Sequence, residues 1–294
     1  MVTAHANPDG DALGSMLATA HGLRLLGKEV VIYDRDGAPS RLSFLPGASE
    51  IVTKLPDGNF DAALVHDCGD LKLVNAPLPN CPIVAIDHHA TGKPFGDLRF
   101  VDVKASCVGI LVARLLRALG IAFDQKIAEC LWCSLVSDTG WFRYSSVDEE
   151  TMTLALECVR AGASPWSFAE RSEEASPLER IKLLPRVLDT LELVGEAPRR
   201  GAILTVTQAM LKEVGAGAEM AEGFVNYARG IVDVEVGAML TEGPHGFRVS
   251  LRSKGRVDVG AIAATFGGGG HRAAAGCQVA SSEVLIDALA QALK

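Results

Sequence analysis

The sequence predicts an α/β fold. A mostly parallel sheet domain flanked by helices is followed by a smaller α/β domain with a mixed sheet, and the active site is expected in the crevice between them. Three observations lead there. Short apolar runs at 2–4, 30–33, 62–65 and 83–86 alternate with helical periodicity at 12–26, 106–119 and 125–136. Strands this apolar, separated by helices, pair in parallel and need cover on both faces. The stretch Glu196-Ala197-Pro198-Arg199-Arg200-Gly201 then breaks the pattern, and strands predominate after it. Finally, the charge is uneven. The chain carries −8 overall, yet residues 243–282 hold five Lys/Arg and one acid, a net of +4, so the remainder carries −12. A basic part facing an acidic one suits a small anionic substrate held between them.

The elements follow in order. Residues 5–15 read His-Ala-Asn-Pro-Asp-Gly-Asp-Ala-Leu-Gly-Ser. Pro8-Asp9-Gly10 cannot continue a strand, so His5, Asp9 and Asp11 fall on a loop between the short first strand and the helix at 12–26. Further helices are expected at 148–161 and 177–191. The break places domain one at 1–190, a linker at 191–200 and domain two at 201–294. In the second domain, strands are expected at 202–206, 232–240 and 247–251, and helices near 219–228 and 259–266. Gly243-Pro244-His245-Gly246 reads as a hairpin turn.

Composition narrows the class. At 294 residues, 48% hydrophobic and 22% charged, the chain can bury a sizeable core. No apolar run approaches the ~20 residues needed to cross a bilayer, and no membrane partner is expected. Seven scattered cysteines fit reduced thiols in a cytoplasmic protein better than a disulfide framework. The acidic balance argues against duplex DNA. The apolar helices leave a homodimer open.

Four apolar elements end in metal-type ligands. Val2-Thr3-Ala4 leads into His5, Asp9 and Asp11. Residues 62–65 lead into His66-Asp67, residues 83–86 into Asp87-His88-His89, and residues 127–136 into Ser137-Asp138-Thr139-Gly140. Ligands in open α/β sheets bind past the carboxyl ends of strands. Mixed nitrogen and oxygen donors suit a divalent transition ion. His66 precedes Asp67 in a strand, so its side chain is expected to point away from the site. Cys130 and Cys133 have Cys-x-x-Cys spacing inside an apolar helix and read as core thiols.

These four blocks resemble, in order, the four motifs of the DHH phosphoesterases, named for the triplet at Asp87-His88-His89. The run Phe266-Gly267-Gly268-Gly269-Gly270-His271-Arg272-Ala273-Ala274-Ala275-Gly276 is similar to the glycine-rich signature of the DHH-associated C-terminal domain. The resemblance covers nearly the whole chain and is nearest to nano-RNases that also dephosphorylate 3′-phosphoadenosine 5′-phosphate. Members carry a leading helix and a longer first strand; here four residues precede His5, so a short first strand is expected.

The resemblance implies a two-ion site. His5, Asp9 and Asp67 hold one ion, while Asp11, Asp67, His88 and Asp138 hold the other, with Asp67 bridging. Mn²⁺ is expected, with Mg²⁺, Co²⁺ or Zn²⁺ as substitutes. His89 is the expected phosphate contact and general acid, and Asp87 orients an imidazole. Arg252, Gly268, Gly269, Gly270 and His271 are the expected clamp on substrate, with Arg143 a further phosphate contact. The expected activity is hydrolysis of very short single-stranded RNA to mononucleotides and of the nucleotide bisphosphate to AMP. The alternatives are a linear or cyclic dinucleotide phosphodiesterase and, from another class, a nonenzymatic nucleotide sensor.

Overall fold

The structure, a computed structural model, describes residues 1–270 and 272–294. The chain divides into two compact units, Met1–Ala175 and Ser176–Lys294. The division falls earlier than the boundary expected near 190–200, so the helix after 177 belongs to the second unit.

The first unit contains strands β1 (Val2–Ala4), β2 (Ala63–His66), β3 (Ile83–Asp87) and β4 (Leu98–Val101). Its helices are α1 (Gly10–Leu25), α2 (Val108–Ala118), α3 (Gln125–Asp138), α4 (Glu149–Arg160) and α5 (Pro165–Ser172). The sheet order is β1-β2-β3-β4, all parallel. Residues 30–33 do not become a full strand. They make isolated bridges, Val2 with Ile32 and Tyr33 with Val52, because three-residue β1 offers too few partners. β4 has no clear sequence signal, since Arg99 interrupts its apolar residues and both Leu98 and Arg99 at this sheet edge are exposed. Leu64, Val84, Ile86 and Phe100 face the helices. A short 3₁₀ turn at Leu71–Val74 and neighbouring loops cover Val65 on the other face.

Helices α1 and α3 lie unusually close, and glycine explains it. An added Cβ on Gly14 would sit 2.4 Å from the Cys130 carbonyl oxygen, and one on Gly10 would meet Ser137 at 2.9 Å. This approach brings the start of α1 to the end of α3, where Asp138 stands. Buried leucines, isoleucines and methionines of α1, α2 and α3 fill the space around the contact.

The second unit begins with α6 (Leu178–Leu188), β5 (Glu192–Val194), β6 (Arg200–Val206), α7 (Gln208–Val214) and α8 (Val225–Arg229). It continues with β7 (Val234–Gly243), β8 (Gly246–Ser253), α9 (Val259–Thr265), β9 (Gly269–Gly270), β10 (Ala274–Val279) and α10 (Ser282–Ala292). The sheet order is β5-β6-β7-β8-β10-β9. β6 and β7 run parallel and the other pairs antiparallel, so the sheet is mixed. Apolar residues of α6, α7 and α8 cover one face. Those of α9 and α10 cover the other. β5 lies inside the expected linker, where Leu193 pairs with Ala202. The helix expected at 219–228 is interrupted by Gly223 (φ +84) and reduces to a 3₁₀ turn and short α8. No helix among the described residues is long and apolar enough to cross a membrane.

The α1–α3 contact yields a test. Gly14→Ala forces two backbones apart and should lower the free energy of unfolding by about 2–3 kcal/mol in urea denaturation. A loss below about 0.5 kcal/mol would mean that the close approach is not required.

Candidate metal centre

Asp9 and Asp11 open α1 in different ways. Asp9 caps the helix, its Oδ1 accepting from the backbone N–H of Asp11 (3.0 Å) and Ala12 (3.1 Å). Asp11 is fully buried. Its Oδ2 accepts from Val108 N–H (2.8 Å), and its Oδ1 from Gly109 N–H (3.3 Å), Ser15 Oγ and Ser134 Oγ. Cys107, the N-cap residue of α2, makes no side-chain cap. Asp11 thus caps α2 from another helix, and two positive helix ends hold its carboxylate.

Asp67 follows β2 in the left-handed region (φ 53), which Asp tolerates better than most residues. It lies beside His66 in sequence but not in space. His66 turns into the core, pairing Nε2 with Thr19 Oγ1 (2.9 Å) and Nδ1 with the Thr3 carbonyl oxygen (3.1 Å). Burial there pushes its pKa down to about 4. His88 donates Nδ1–H to the Ala105 carbonyl oxygen (3.0 Å). That leaves Nε2 facing carboxylates: Asp138 Oδ2 at 3.3 Å, Asp11 Oδ2 at 3.6 Å and Asp67 Oδ1 at 3.6 Å. His5 likewise spends Nδ1 on the Ala6 carbonyl oxygen (2.9 Å) and sets Nε2 3.7 Å from Asp67 Oδ2.

Three donor groups result, each with its ligand atoms within 4.8 Å of one another: His5, Asp9 and Asp67; Asp11, His88 and Asp138; and Asp67, His88 and His89. All six expected ligands are therefore gathered in the first unit, and Asp67 belongs to two of the groups. The third group also includes His89. Its Nδ1 lies 2.7 Å from Asp87 Oδ1 and 3.5 Å from Asp67 Oδ1. Asp87 also accepts the His89 backbone N–H (3.3 Å), so it fixes the imidazole next to it.

The electrostatics fit a cation. Burial pushes the Asp11 carboxyl well above its usual range, and the carboxylates of Asp67 and Asp138 push it further. Burial opposes charge on His5 and His88, but the facing carboxylates outweigh it. They raise His5 to about 10, chiefly through Asp67, and His88 to about 11, chiefly through Asp138. His89 is raised by Asp87 against its own burial, while Asp87 is correspondingly lowered. Asp67 Oδ1 is buried and accepts no hydrogen bond among the described residues. Protons on the imidazoles thus stand where positive ions would, and a buried acceptor is left over for coordination.

The expected substrate contacts are spread over both units. Arg143 is exposed beyond α3 and donates Nε–H to the Gly140 carbonyl oxygen (2.6 Å). It follows three successive left-handed residues, Gly140, Trp141 and Phe142. Arg252 of β8 is half-buried and pairs in register with Ala274, while Gly270 of β9 pairs with Ala275. They therefore flank the start of β10. Packing accounts for two of the glycines. A Cβ on Gly268 would lie 2.1 Å from the Gly276 carbonyl oxygen, and one on Gly270 2.5 Å from that of Ala274. Gly269 faces open space and has no such reason. His271 lies outside the described residues.

Some residues around the site carry no mark in the motif reading. Ser134 and Ser15 hold Asp11, and Asp36 Oδ2 accepts the backbone N–H of Asn7 (3.0 Å). Asp34 is buried close by, its pKa pushed up to about 6 by burial. It ends the apolar run at 30–33, so the rule that found the other blocks would have found it.

Metal uptake must expel the protons that His5 and His88 hold. Both pKa values are raised above that of a free imidazole, so the metal-free site grows less favourable as pH rises, while the metal-loaded site does not. Stabilisation by Mn²⁺, read as the thermal shift between chelated and loaded protein, should grow from pH 6 to pH 9. A shift that shrinks over that range would contradict this charge balance.

Comparison with known proteins agrees with the fold. Residues 1–135 match the DHH family, N-terminal domain, and residues 204–294 the DHHA1 domain. The bifunctional oligoribonuclease and PAP phosphatase NrnA of Thermus thermophilus is 33% identical, over 94% of this chain and 82% of its own. The protein of the same name from Bacillus subtilis is 27% identical, over 94% of this chain and 88% of its own. The crystal structure of an exopolyphosphatase-related protein from Bacteroides fragilis superposes with a TM-score of 0.87 at 25% identity, covering 99% of this chain and 90% of the other. The chain belongs to the DHH family of metal-dependent phosphoesterases, with an N-terminal DHH domain and a C-terminal DHHA1 domain.

Proposed function

We propose that this chain hydrolyses very short single-stranded RNA to mononucleotides and 3′-phosphoadenosine 5′-phosphate to AMP, using two divalent ions, with Mn²⁺ as the working metal. The observation that carries this reading is a chain of donor groups: Asp67 belongs with His5 and Asp9 on one side and with His88 and His89 on the other, and His88 also belongs with Asp11 and Asp138. A carboxylate common to two sites suits two ions about 3.5–4 Å apart, since its charge screens their repulsion. His5, Asp9 and Asp67 would hold one ion, and Asp11, Asp67, His88 and Asp138 the other. When bound, such ions activate water and neutralise charge gathering on the phosphoryl oxygens. The names of the relatives from Thermus thermophilus and Bacillus subtilis support the substrates.

His89 supplies the proton. Asp87 holds Nδ1 and favours the charged ring, so Nε2 carries a proton to give. In the reaction, a water oxygen bonds to phosphorus and releases one proton to solvent, the P–O3′ bond breaks, O3′ takes the proton from His89, and solvent returns a proton to the ring. In the DHHA1 domain, Arg252 and the open backbone at Gly269 are offered as nucleotide contacts, with His271 beside them in sequence. Arg143 is offered as a further phosphate contact. The acidic balance of the chain, −8, disfavours duplex DNA as a substrate.

The test is hydrolysis by purified protein with Mn²⁺. A 5′-labelled RNA dinucleotide should be converted rapidly to mononucleotide, a 24-mer only slowly, and the bisphosphate to AMP. Asp67→Asn should lower kcat at least ~10³-fold. His89→Asn should lower it ~10²–10⁴-fold while the Mn²⁺-induced thermal shift persists. Inactivity on all three substrates, or full activity of Asp67→Asn, would overturn the reading.

A further inference from the structure

One cleft of the first unit is unused by the chemistry above. It measures about 80 Å³, room for a few waters or for one phosphoryl group. Ala85 of β3 and Val101 of β4 line it together with Phe95, and its polar lining includes Asp87, His89 and Arg99. Ala85 pairs in register with Arg99, and Asp87 with Val101, so these four side chains share the sheet face away from α1 and α2.

The rim is preformed. A Cβ on Gly92 (φ +132) would lie 2.0 Å from the Gly69 carbonyl oxygen, and one on Gly69 would lie 2.8 Å from that of Thr91. The loops after β2 and β3 are therefore locked against each other, and Asp70 bridges to Lys93 beside them. The charges are unequal. His89 answers Asp87 at 2.7 Å. Arg99 is exposed, and its guanidinium has no hydrogen bond or ion pair among the described residues. A fixed cleft with an apolar floor thus offers one uncompensated guanidinium, the side chain best shaped for phosphate.

The position of His89 indicates which phosphate, an argument that rests on the function proposed above. The scissile phosphate lies against the donor groups, and His89 protonates O3′, so the leaving nucleotide lies on the His89 side. His89 is also a wall of this cleft. In 3′-phosphoadenosine 5′-phosphate and in a 5′-phosphorylated dinucleotide alike, the nucleotide that departs through O3′ carries a 5′-phosphate. We propose that the cleft is a phosphate subsite, with Arg99 as its cation, that takes the 5′-phosphate of the leaving nucleotide. Free inorganic phosphate has the same chemistry, and the test separates the two.

Steady-state kinetics with Mn²⁺ would compare wild type with Arg99→Gln on four substrates: 3′-phosphoadenosine 5′-phosphate, 3′-AMP, 5′-phosphorylated diadenylate and unphosphorylated diadenylate. Arg99→Gln should raise KM roughly tenfold for the two with a 5′-phosphate and leave kcat within about twofold. KM for the other two should not move, and Arg99→Lys should recover part of the loss. Equal changes on all four substrates, or none on any, would overturn the subsite. So would a weakened inhibition by inorganic phosphate with all four KM values unmoved, which would mark a site for free phosphate. If wild type turns over none of the four, the functional reading fails by itself, and calorimetric titration reads the subsite instead. Tenfold weaker binding of the bisphosphate, but not of 3′-AMP, to Arg99→Gln then supports it; equal affinities overturn it.

Discussion

Four carboxylates confined to one buried patch, with too few fixed cations to balance them, set the terms for the first domain. Asp11 and Asp67 are almost wholly removed from water, and Asp9 and Asp138 close the same two donor groups. Ionised carboxylates this close repel strongly in a medium of low dielectric. Left to itself the patch takes up protons, which is why the facing imidazoles and Asp11 are pushed upward. Divalent ions relieve the same imbalance more completely. The fold spends stability to create the patch, and metal binding returns it.

Several costly local features serve that patch. Gly10 and Gly14 give up side chains so that α1 can approach α3. Asp11 takes over the capping of α2, tying the start of one helix to the start of another. Asp67 adopts a left-handed backbone, and three left-handed residues follow Asp138. Strain of this kind persists where the surrounding structure over-determines it, commonly at functional sites. His66 shows the same economy in reverse: one residue from Asp67, it serves only the core.

Much of this was legible in the sequence. The four apolar runs brought the six candidate ligands into view together with His66, Asp87 and His89; β alternation set His66 apart, and the resemblance to the DHH phosphoesterases implied the six. Other features left no pattern to read. β4 is an exposed edge, and β10 is built largely of small residues, so neither shows the usual strand signal. The sequence does not display which unit α6 joins, because Leu183 and Val187 pack against β6, α7 and α8 only once the chain is folded. Neighbouring carbonyls already require Gly268 and Gly270 to lack side chains, a packing constraint that the glycine run does not display. The Arg99 cleft depends on pairing between β3 and β4, which periodicity alone does not disclose.

The central claim is that the acidic patch is built around a pair of ions sharing Asp67. Anomalous diffraction at the manganese edge, from crystals grown with Mn²⁺, tests it directly. The account predicts two peaks about 3.5–4 Å apart in the first domain, with the Asp67 carboxylate between them. A single peak, or two peaks without Asp67 in common, would contradict it.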